Sequence, residues 1–141
     1  MLMALIEIVA AILLNSWPAR LIMSVHDSAI AECRRDFAPW LTAFMKHTME
    51  SMGWGDVPIV VDAEAGPSWG ELDKMEVWLA AFFGLPKGYK LEVKLGPRVR
   101  MTHPNGEKTG WHTHPGEQVG PAGFNAAVAA IVERLQTAAA A

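Results

Sequence analysis

Residues 1–14 are apolar almost without interruption, with Glu7 the one charge among them. This predicts a core helix that needs protein on every side. Asn15-Ser16-Trp17-Pro18 breaks it. Two short apolar runs follow, residues 21–25 and 29–31, with the polar knot His26-Asp27-Ser28 between them. Such a pattern predicts a tight β-hairpin carrying a carboxylate at its tip. The period then lengthens. Phe37, Trp40, Leu41, Phe44, Thr48 and Met52 recur at helical spacing, with Asp36 in the N-cap position and Pro39 in the first turn. That stripe predicts an amphipathic helix, stopped by Gly53-Trp54-Gly55. Residues 57–61 are mostly β-branched and predict a short edge strand beside the hairpin, with Pro58 near its start.

Further along, Ser68 and Glu71 have capping-box spacing, and Leu72, Met75, Leu79, Phe82 and Phe83 form a helical stripe ending at Gly84. Tyr89, Leu91, Val93 and Leu95 alternate with Lys90, Glu92 and Lys94, the period of a half-buried strand. Gly96-Pro97 turns it toward a partner at residues 98–102, and Pro104-Asn105-Gly106 is another turn signal. Phe124, Ala127, Val128, Ile131 and Leu135 predict a last helix that frays into alanines. There is no internal repeat and no long linker. The expected class is α+β: an antiparallel hairpin and strand packed on helices, then a C-terminal α/β extension.

At 141 residues the chain is one domain or a piece of one. An apolar share of 51% against 19% charged residues describes a folded core, not a disordered tail. The net charge of −3 is not the footprint of a self-sufficient DNA-binding domain. Positive charge is nevertheless concentrated at Lys87, Lys90, Lys94, Arg98, Arg100 and Lys108. That set reads either as a local face for a nucleic-acid backbone or as an ordinary solvated strand face. Cys33 is the single cysteine, which excludes an internal disulfide and fits a reducing, cytoplasmic compartment. Residues 1–14 are too short for a membrane span and lack the basic start of a signal peptide, so no membrane is expected. His112 and His114 would share a strand face and, with His103, present imidazoles to zinc. Without a cysteine or a fourth ligand nearby, a polar surface loop is the simpler reading. Asp62 and Glu64 are read as solvated carboxylates at a strand end, and His47 as a solvated helix residue.

The chemistry concentrates at Asp27. A carboxylate fixed by stiff strands is a hard oxygen ligand of the kind Mg²⁺ takes, and one or two such groups plus substrate phosphates make a usual Mg²⁺ site. Val25-His26-Asp27 resembles the third catalytic motif of family A DNA polymerases, the palm hairpin written Val-His-Asp-Glu. The surroundings resemble that family in the same order: an apolar helix before, an amphipathic helix after, then Val57-Pro58-Ile59-Val60-Val61, and Gly66-Pro67-Ser68-Trp69 as its Gly-x-x-Trp. The resemblance covers residues 1–75, a C-terminal palm segment; residues 76–141 form an extension of no family we can name.

The resemblance implies part of a DNA-directed DNA polymerase, phage type, that adds dNTPs to a primer with two Mg²⁺ ions. Asp27 would be the catalytic metal ligand, His26 the contact near the primer end, and Ser24 a replacement for a glutamine that touches the minor groove. Ser28 stands where the family has glutamate. The family's other metal-binding aspartate and its triphosphate-binding finger helix have no counterpart here. The remainder of the polymerase is therefore expected in the same polypeptide or as a separate subunit, in a bacterial or phage-infected cell, and the isolated chain is expected to be inactive. The alternative is a non-catalytic DNA-binding or accessory module on a palm scaffold, with Arg98 and Arg100 as its working residues.

Overall fold

The computed structural model describes residues 2–52, 59–114 and 119–140. They fall into two compact units, Met1–Val61 and Asp62–Ala141. Both mix helices with small antiparallel sheets, so the fold is α+β as expected.

The first unit begins with α1 (Leu2–Leu14), which buries one stripe rather than its whole circumference. Ala4, Ile8 and Ile12, spaced by four, are buried, whereas Leu2, Met3, Ile6, Leu13 and Leu14 are exposed. The helix ends where the sequence breaks. Ser16 takes φ 52°, the left-handed position usually given to glycine, and the Trp17 N–H donates to the Ile12 carbonyl at 3.1 Å. This reversal sets Trp17 against Phe37, Trp40 and Phe44, with ring centroids at 5.6, 5.8 and 5.0 Å. Strands β1 (Ala19–Val25) and β2 (Ser28–Cys33) form the expected hairpin, and α2 (Ala38–Glu50) follows a 3₁₀ turn at Arg35–Phe37. Asp36 does not cap α2. Its carboxylate accepts from the Arg34 guanidinium, and the helix starts after Phe37 with no side-chain cap and with Pro39 in its first turn. Phe37 and Leu41 join Ile8 and Ile12 in the core, with Trp40, Phe44 and Met49 packed around them.

The strand expected at 57–61 is not seen where it can be followed. Val57 and Pro58 lie outside the described residues, as does the Gly53-Trp54-Gly55 stop, and Ile59, Val60 and Val61 belong to no strand. The Val61 N–H is taken by the Glu50 side chain at 3.1 Å, so it has no strand partner to bond.

The second unit opens with a small ladder, β3 (Glu64–Ala65) on β4 (Asp73–Lys74). Gly66 is required there, since a Cβ would lie 1.9 Å from the Glu71 carbonyl oxygen. The expected capping box does not form. Glu71 N–H donates to the Ser68 carbonyl within this loop, and α3 (Met75–Phe82) starts later, after Lys74, with no side-chain cap. Its end follows expectation. Gly84 takes φ 79°, Leu85 N–H reaches Ala80 and Gly84 N–H reaches Ala81, closing the last turn as a Schellman motif.

Strands β5 (Lys90–Lys94), β6 (Arg98–Thr102) and β7 (His112–Thr113) form a three-stranded sheet in that order. Leu91, Val99 and Met101 on one face, with Phe124, Val128 and Ile131 of α4 (Pro121–Ala140), are completely buried. Each such side chain contributes roughly 1.5–3 kcal/mol of burial. The opposite face carries the charges. No helix among the described residues is long and apolar enough to cross a membrane.

Candidate functional site

The hairpin tip is held by its base. Ala19, Ala31 and Cys33 pack on Ile8, Ile12, Phe37 and Leu41. The register runs Ala19↔Cys33, Arg20↔Glu32 and Leu21↔Ala31, then skips one residue and resumes as Met23↔Ile30, Ser24↔Ala29 and Val25↔Ser28. Ile22 is the extra residue, and such a bulge re-aims the strand beyond it. The Arg20–Glu32 ion pair at 2.8 Å is exposed on both sides, so it steadies the base by at most about 1 kcal/mol.

Beyond the bulge the tip is solvated: Ser24, Val25, His26, Asp27 and Ser28 are all exposed. His26 opens the two-residue turn at φ 54°, a backbone region that non-glycine residues enter at a cost. Neither His26 nor Asp27 has a side-chain hydrogen bond or ion pair among the described residues. The tip therefore presents a carboxylate and an imidazole that no other described residue claims.

That arrangement does not by itself fit a metal ion. Among the described residues no three His, Cys, Asp or Glu side chains converge in a group able to hold one. The same finding separates His103, His112 and His114. His103 stacks edge-on against Tyr89 at 5.4 Å, while the His114 Nδ1 is buried without a hydrogen-bond partner among the described residues. Asp62 and Glu64 line a cleft of about 390 Å³ together with Glu76, Glu92, Lys74, Lys90 and Lys108. Four carboxylates there face three ammonium groups, so the cleft carries no excess of positive charge.

Two of the predicted basic residues, Arg98 and Arg100, do come together. Glu92 lies opposite Arg100 and Lys94 opposite Arg98 on the polar face of β5 and β6. The Glu92–Arg100 ion pair raises the Arg100 pKa, chiefly through the side-chain hydrogen bond. Above them sits Trp111, a residue that pattern reading passed over. Its ring centroid is 4.8 Å from Lys94 Nζ, 4.7 Å from Arg100 Cζ and 5.8 Å from Arg98 Cζ. The available signal was its place just before His112, one residue from a strand that pairs with β6. Cys33 is the other perturbed group. Partial burial first, and then the nearby Asp36 carboxylate, push its thiol pKa up, so it is an unreactive core neighbour.

Over 78 residues the chain is 31% identical to the DNA polymerase of Bacillus phage SP01. A stretch of this chain is related to a DNA polymerase. The polymerase-related stretch takes in 45% of the chain but only 8% of that polymerase, so the chain spans a small part of its curated relative. No family model matches the chain, and no solved structure matches it.

Proposed function

We propose that the chain is the C-terminal palm segment of a family A, phage-type DNA polymerase, and that it contributes Asp27 to template-directed transfer of nucleotides from dNTPs to a DNA primer. The observation that carries this reading is the hairpin tip. His26-Asp27 stands in a two-residue turn between apolar strands, exposed and unclaimed, with α1 before it and α2 after it. The similarity to a phage DNA polymerase supports the same reading from a separate direction. Asp27 is one carboxylate, so the other metal ligands belong to parts of the polymerase outside this chain, and no metal-dependent step is assigned to the chain alone. His26 is assigned to the primer end and Ser24 to the neighbouring groove.

The exposed row Leu2, Met3, Ile6, Leu13 and Leu14 supports a further part of this reading. An exposed apolar helix face of this kind marks a protein–protein contact, and the remainder of the polymerase is the partner assigned to it. The test is to recover the native assembly through a tag on α4 and measure incorporation of dNTPs on a primed template. Template-dependent synthesis by the assembly, and none by the purified chain, is the expected pair of results. An assembly without synthesis, or a purified chain that extends primers, contradicts the proposal.

A further inference from the structure

The second unit carries a charged surface that the polymerase reading does not use. The polar face of β5 and β6 is divided. At one end Lys90 and Lys108 line a cleft with Lys74 and the carboxylates Asp62, Glu64 and Glu76, so acidic groups surround their charge. In the middle Glu92 is paired with Arg100. At the other end Lys94 and Arg98 stand directly opposite each other across the ladder, with no carboxylate partner among the described residues. Like charges opposite one another on adjacent strands are destabilising. Trp111 relieves part of that cost, since Lys94 Nζ lies 4.8 Å and Arg98 Cζ 5.8 Å from its ring centroid. An anion between the two cations would relieve the rest.

We infer that this end of the sheet is a binding site for single-stranded nucleic acid, with Lys94 and Arg98 meeting phosphates and Trp111, half-buried, offering its ring to a base. A simple anion would need the cations but would gain nothing from the indole. A duplex would satisfy the cations while hiding its base faces. A single strand uses both, because every unpaired base has a π-face and stacking of this kind tolerates any sequence. Arg100, held by Glu92, keeps the ring in place and is not counted as a phosphate contact. The inference does not rest on the polymerase reading, and its test reads binding rather than synthesis, so failure of one leaves the other standing.

The experiment is fluorescence anisotropy of a labelled oligo(dT) of about 15 nucleotides, titrated with the full chain at salt concentrations from about 50 to 200 mM. Binding should weaken steeply with salt and exceed that of a duplex of the same length. Trp111→Leu should weaken it by about 5- to 150-fold, with Trp111→Phe restoring most of the loss. Arg98→Gln should flatten the salt slope by about 0.7, the contribution of one phosphate contact on a single strand. Circular dichroism of each variant confirms that the sheet persists, and Arg98→Gln supplies the answer should Trp111→Leu fail to fold. No binding at the lowest salt, equal binding of the duplex, or an unchanged salt slope in Arg98→Gln overturns the inference.

Discussion

Replacing His26 by glycine separates what the hairpin tip costs from what it is for. At φ 54° an ordinary L-residue gives up about 1–2 kcal/mol relative to the right-handed or extended regions. Histidine enters that region more readily than most, so the lower figure applies. Glycine removes the strain but brings about 0.5–1 kcal/mol of extra chain entropy to be lost on folding. The His26 side chain is exposed and makes no bond among the described residues that would be forfeited. The net expectation for His26→Gly is a first unit unchanged or stabilised by up to about 0.5 kcal/mol. The same change should remove most primer extension from the native assembly. Denaturant unfolding followed by residue-resolved amide NMR reads the first unit through α2, whose Trp40 and Phe44 pack on Trp17. The two units need not unfold together, so a probe local to one of them is required. A loss of more than about 1 kcal/mol in His26→Gly would refute the reasoning, because it would mean that the imidazole is a structural anchor.

Four other outcomes follow from the same packing and electrostatics. Ile8→Ala, at a completely buried position against Ile12, Phe37 and Leu41, should cost the first unit about 2–5 kcal/mol in the same unfolding assay. Gly66→Ala cannot be accommodated against the Glu71 carbonyl, so amide exchange in β3 and β4 should accelerate strongly, and an unchanged rate would show that the loop can open without loss. Cys33 should react with a thiol reagent more slowly than a free cysteine at mildly alkaline pH. Because its folded pKa lies above the unfolded value, the first unit should be fully stable below about pH 8.5 and lose stability as pH rises through the raised pKa; stability that grows with pH there would contradict the sign. Dialysis against zinc should leave no stoichiometric metal, since the three histidines of the second unit do not converge, and one equivalent lost on His112→Ala would reverse that reading.

Period and turn chemistry made much of the fold legible. The alternation around His26-Asp27 located the hairpin, and the five apolar positions from Phe124 to Leu135 are all buried in α4. Local signals misled where another bond outcompeted them. Asp36 and Ser68 carry good capping side chains, yet the Asp36 carboxylate is taken by Arg34, and Ser68 lies in the loop that Gly66 permits, well before α3 starts at Met75. Residues 1–14 read as buried all round because hydropathy reports what a surface prefers, not whether a partner is present to cover it. At the candidate site the sequence indicated Asp27 and its turn but not the bulge at Ile22 that redirects it, since a bulge is a property of the pairing. Trp111 escaped notice for a related reason. Its significance comes from Lys94, Arg98 and Arg100, which lie on two other strands and meet it only in the folded sheet.

The central claim is that Asp27 is a working carboxylate of a polymerase. Asp27→Asn keeps the size and turn preference of the residue at an exposed position without partners among the described residues, so the hairpin should be as stable as before, within about 0.5 kcal/mol. The decisive measurement is nucleotide incorporation by the native assembly carrying this one change, on a primed template it still binds. The account predicts that synthesis is lost while primer-template binding persists. Synthesis at the unsubstituted rate would contradict it, and would leave the hairpin as a structural element of a protein whose function lies elsewhere.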